Sequence, residues 1–130
     1  MIDPAHPFAS WFLWISAVAF LVIYALPLLL APLTWARLFL WQPPAETDLA
    51  VYLGRCLGGV ALAIVFVAAR AAPQPAAHPL IFELIIGACG LMTLVHVWGA
   101  IRKAQPWTET VEIFMYAIVT GLACWLYIRL

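Results

Sequence analysis

The sequence predicts an all-α polytopic membrane protein: a bundle of four transmembrane helices, with a short interfacial segment after the first. Three observations predict it. Of the 130 residues, 67% are hydrophobic and 9% are charged, and the mean hydropathy is +1.05. A soluble domain is roughly half apolar and about a quarter charged. The apolar residues gather into four stretches, each near the roughly 20 residues that cross a hydrocarbon core about 30 Å thick as a helix. Proline-rich segments divide these stretches, and proline ends a helix by removing an N–H and crowding the turn before it. A soluble core in so short a chain could not hide this much apolar surface, and disorder needs the opposite composition. Six Lys plus Arg against six Asp plus Glu leave no basic footprint for nucleic acid.

The chain reads as one transmembrane domain, residues 1–130, with spans over about 11–31, 49–69, 80–101 and 109–128. Met1 to Pro7 lacks the basic start of a cleavable signal, so the first span is expected to stay in the mature protein. That span, Trp11 to Ala31, carries no charge, and Pro27 should kink it or mark its last turns. The stretch Leu33 to Trp41 is too short to span. Trp35, Arg37 and Trp41 are residue types of the headgroup level, and Pro43-Pro44 closes the segment. It is expected to lie along the surface as one or two helical turns, or to extend the first span past Pro32.

The second span, Leu49 to Ala69, holds Arg55 and a GxxxG-like pattern at Gly54 and Gly58, extended by Gly59. Glycines at this spacing let another backbone approach closely, which assigns this face to helix packing, inside the bundle or between copies. The third span, Leu80 to Ile101, holds Glu83 and His96. The fourth opens with Glu109 and Glu112, placed to complement a helix N-terminus, with Thr108 as its N-cap. Cys56, Cys89 and Cys124 lie in apolar runs without a CxxC pair, and read as inert, membrane-buried thiols. That excludes thiol redox chemistry of the vitamin K epoxide reductase type.

Four spans put both termini on one side. Arg37, Arg102 and Lys103 fall on the opposite side, against Arg70 and Arg129 on the side of the termini. The positive-inside rule then makes the termini non-cytoplasmic, in a bacterial inner membrane.

Ionisable groups within spans are expensive, so each one asks for a partner. Counted along their helices, Arg55, His96 and Glu112 sit at a similar depth, roughly 5–10 Å below one interface. Tyr52 and Tyr116 lie one turn from Arg55 and Glu112. These five residues are the candidate polar site, with Glu112 expected to pair with Arg55. The alternative is a purely structural network that glues the helices together. A sharper version takes His96, Glu109 and Glu112 as one imidazole and two carboxylates for zinc or iron. No second histidine lies in any span, and neither HxxxH nor ExxH occurs, so no metal site and no cofactor are expected. Ser10 and Ser16, the only serines, fall near the other interface, which leaves no Ser-His-acid unit. Glu83 stands apart. With Tyr116, Thr120 and Tyr127 it would make a minimal relay toward Glu112.

The favoured functional reading is a non-catalytic accessory or binding subunit that packs on a membrane partner or a lipophilic ligand. Its partners would be the bilayer and a second copy or a larger membrane complex. The alternatives are a membrane enzyme using Glu112 and His96 as acid and base on a lipid-soluble substrate, and an oligomeric proton-coupled transporter. An enzyme is the less favoured of these readings.

Overall fold

The prolines and apolar runs resolve into five helices. The computed structural model describes all of residues 1–130 and contains no strand. In chain order the helices are α1 (Pro7–Leu30), α2 (Pro32–Leu38), α3 (Asp48–Ala71), α4 (Leu80–Ile101) and α5 (Trp107–Tyr127). All but α2 are long and apolar enough to cross a membrane. Pro7 begins α1, where its missing N–H costs nothing. Pro106, held extended at ψ 158°, sets the start of α5 at Trp107. Thr108 is therefore not the N-cap, as the sequence suggested, but lies inside the first turn.

Two compact units divide the chain, Met1–Gln74 and Pro75–Leu130. In the first, α1 and α3 pack through small or slender residues, Ala9, Leu13 and Ala17 on one helix and Ala61, Val65 and Ala68 on the other. The ends are tied by a polar contact. The fully buried Ser10 hydroxyl donates to the carbonyl of Ala72, 2.5 Å away, and accepts the Asp3 N–H at 3.2 Å. Ala72 follows the last residue of α3, where carbonyls have no partner within the helix.

Pro27 shapes the other end of α1. Residues Leu21–Ala25 open into one wide π turn, with the Leu26 N–H bonded to the Leu21 carbonyl. Such turns accompany helix distortions. Pro27 has no N–H to offer the carbonyl four residues back, that of Ile23. The indole N–H of Trp35 donates to that carbonyl at 2.8 Å. Trp35 can do so because Ala31 (φ −143°, ψ 59°) breaks the helix and turns α2 back along α1. Of the two expectations for this segment, extension of the first span past Pro32 is therefore not what forms. An aromatic cluster holds the fold-back: Trp35 stacks on Phe39 with centroids 4.6 Å apart, and both pack on Tyr24 at 5.8 and 6.2 Å. Leu40, at φ 65°, ends α2 by letting Leu40 N–H and Trp41 N–H reach the carbonyls of Arg37 and Ala36.

The corner between α1 and α2 presses on the glycine face of α3. A Cβ on Gly54 would stand 2.6 Å from Pro32 Cβ, and one on Gly58 would collide with the Leu29 backbone. A Cβ on Gly59 would meet nothing within 4 Å. Gly54 and Gly58 are thus used up within this unit, by a proline-made corner rather than by a straight helix.

In the second unit α4 and α5 form an antiparallel hairpin. Lys103, at φ 52°, closes α4 in the same way as Leu40 closes α2, with Lys103 N–H on Ala100 and Ala104 N–H on Gly99. At the opposite end the Tyr127 hydroxyl donates to Glu83 at 2.6 Å.

Two outcomes follow for stability in mild detergent. Gly58→Ala should cost about 1–3 kcal/mol, as overpacking against backbone does, while Gly59→Ala should stay within about 0.5 kcal/mol of the parent. Thermal unfolding of both variants checks the contrast. Trp35→Phe keeps a ring to stack on Phe39 but strips the donor from the Ile23 carbonyl, and should cost about 1–3 kcal/mol. Unfolding at the parent midpoint would contradict it.

Candidate functional site

The site is built from one turn of α4 and the first two turns of α5. His96 lies on the face of α4 that also carries Gly99, and Glu109, Glu112 and Tyr116 follow the 3–4 spacing of one face of α5. The hairpin brings the two faces together. His96, Glu109 and Glu112 are only 5%, 7% and 8% exposed. His96 Nε2 stands 3.0 Å from Glu109 Oε2 and 3.7 Å from Glu112 Oε2. Its other nitrogen, Nδ1, is 2.8 Å from the Met92 carbonyl. A carbonyl only accepts, so Nδ1 carries a proton and the ring is held in one orientation. The Tyr116 ring packs on the imidazole with centroids 5.0 Å apart. Glu109 also occupies the third position of α5, in its first turn.

Gln105 holds the two helices in this register. Its amide donates to the His96 carbonyl at 3.1 Å and to the Thr110 hydroxyl at 3.2 Å. A Cβ on Gly99 would run into this carboxamide, so glycine is needed there to let Gln105 reach back. The sequence reading did not single out Gln105. Its signals were a lone amide immediately before Pro106 and a glycine one turn beyond His96.

Of the five residues named from sequence, His96, Glu112 and Tyr116 lie together in this unit. Arg55 and Tyr52 are exposed on α3, in the unit formed by residues 1–74, and Arg55 makes no ion pair. Within the hairpin it is Glu109, read from sequence chiefly as a helix-terminus acid, that stands closest to the imidazole. Glu83 is exposed and bound to Tyr127. Between Glu83 and Glu112, the Thr120 hydroxyl donates to the Tyr116 carbonyl of its own helix at 2.8 Å. Thr93 does the same toward Cys89 on α4, also at 2.8 Å. Both hydroxyls are turned to the backbone of their own helices. Cys56, Cys89 and Cys124 are free thiols; Cys56 and Cys124 are exposed on their helices and Cys89 is half-buried, so none is buried among side chains.

No family model, no curated protein and no solved structure matches this chain. The chemistry of the site is read from its own geometry. An imidazole with a fixed tautomer facing two buried carboxylates can share a proton or hold a cation.

Gln105→Leu removes both amide hydrogen bonds at nearly constant size. It should lower stability by about 1–2 kcal/mol and loosen the ring of His96, seen as a broadened imidazole signal in NMR. A sharp, unshifted signal would show that Gln105 does not hold the register.

Proposed function

We propose that this chain is a non-catalytic binding subunit of a membrane, and that it takes a cationic ligand at His96, Glu109 and Glu112. The observation that carries this reading is the convergence of two buried carboxylates on one buried imidazole nitrogen. Carboxylates outnumber the imidazole two to one in the cluster. A cation entering the cluster lowers its energy, and burial strengthens that attraction over its value in water. The surroundings support binding over turnover: Gln105 and the Nδ1 hydrogen bond hold the donors in place. The same reading places the chain in a bacterial inner membrane with both termini on the non-cytoplasmic side. Exposed apolar side chains such as Leu53, Leu57 and Phe66 on α3 would pack on lipid and on a membrane partner or a second copy.

Native mass spectrometry of the full chain in mild detergent tests the reading. The wild type should retain a bound species that the Glu109→Gln/Glu112→Gln variant loses. Identical spectra for the two proteins would overturn it.

A further inference from the structure

The tautomer of His96 narrows what the cluster can hold. With Nδ1–H committed to Met92, the neutral ring carries its lone pair on Nε2, the nitrogen that faces both glutamates. Three lone-pair donors turned toward one another repel unless positive charge lies among them. Nε2 lies 3.0 Å from Glu109 and 3.7 Å from Glu112, so a single cation placed among the three atoms would meet all of them at once.

The spacing from the imidazole nitrogen to each carboxylate fits such an ion. Two ligand atoms about 2.1 Å from a common metal lie roughly 3.0 Å apart at a right angle and about 3.4 Å apart at a tetrahedral one. The observed separations are 3.0 and 3.7 Å, and the three ligand atoms all lie within 4.8 Å of one another. The support around them fits as well. A metal-bound histidine characteristically donates its second N–H to a carbonyl or carboxylate, which fixes the ring and raises its basicity. The Met92 carbonyl stands where that partner belongs. His96 precedes Arg102 by six residues, about 9 Å along the helix. Arg102 and Lys103, in the connection that follows, are exposed.

Resting on the binding reading above, the geometry points to a divalent first-row transition metal, zinc or ferrous iron, as the occupant. Its ligands are His96 Nε2 and one oxygen each from Glu109 and Glu112. Imidazole selects this class over calcium and magnesium, and the absence of thiolate from the ligand set argues against copper(I). Three protein ligands leave at least one coordination position for water or an exchangeable group. The sequence offered the same three ligands and too few histidines; the structure adds their proximity and burial.

The test uses the full chain in mild detergent, stripped with a chelator. It is titrated with Zn²⁺ against a chromophoric chelator, and with Co²⁺ followed by visible absorption. One ion per chain is expected. His96→Gln and Glu112→Gln should each weaken Zn²⁺ binding at least ~10-fold, and Glu83→Gln, at the other end of the hairpin, should titrate as the wild type does. If Glu112→Gln does not fold, Glu112→Asp keeps the charge and moves the ligand atom, and should change the Co²⁺ spectrum. No stoichiometric Co²⁺ band in the wild type, or equal Zn²⁺ affinity in the His96 and Glu112 variants, would overturn the proposal. An organic cation lost from the double glutamate variant in native mass spectrometry, with no Zn²⁺ binding, would remove the metal and leave the binding reading standing. Absence of any bound species would remove both.

Discussion

In a hydrocarbon layer no water completes an unpaired N–H, C=O or carboxylate, so each polar atom must find its partner within the protein. Much of this fold can be traced to that requirement. Pro27 leaves the Ile23 carbonyl without its usual N–H, and Trp35 supplies one from a different helix. To do so the chain must break at Ala31 and double back, which creates the corner at Leu28–Pro32. That corner then needs room, and Gly54 and Gly58 provide it on α3. One missing hydrogen-bond donor thus accompanies a π turn, a fold-back, an aromatic cluster and a glycine face. No buried side-chain nitrogen or oxygen lacks a partner.

The same requirement separates polar groups that are consumed locally from those that remain available for chemistry. Thr93 and Thr120 return their hydroxyls to carbonyls of their own helices, a pattern that satisfies a hydroxyl in an apolar setting without a neighbour. Ser10 joins α1 to the carbonyl beyond α3. Tyr127 and Glu83 fasten one end of the α4–α5 hairpin. The other end is fastened by Gln105 and by the His96–Glu109 contact. There three buried ionisable groups meet, two carboxylates and one imidazole, which sets that end apart from the exposed Tyr127–Glu83 pair.

The spans were legible because their cause is local. Twenty or so apolar residues between prolines specify a membrane helix whatever lies beside it, and α4 forms over the expected residues 80–101. The matched depth of His96 and Glu112 was legible for the same reason, since rise per residue is a property of one helix. Pro27 announced a distortion, but not the Trp35 indole that completes it, because that partner depends on a turn made by Ala31. The roles of Gly54 and Gly59 could not be told apart from spacing. Both fit a close-approach pattern, and only the position of the corner leaves one crowded and the other open.

Composition, hydropathy and proline placement by themselves determined an all-α chain with four membrane-length helices, because each of these follows from interactions of neighbouring residues with solvent or lipid. Which polar groups meet was decided by tertiary structure. Glu109 reads in the sequence as an acid suited to a helix N-terminus, and it is that too. It becomes the nearest partner of His96 only because Lys103 takes up a left-handed conformation, Gly99 admits Gln105, and the hairpin closes in one register. Hydrogen bonds and ligand geometry depend on separations of a few tenths of an ångström. Sequence spacing along separate helices does not set those distances; the packing between the helices does.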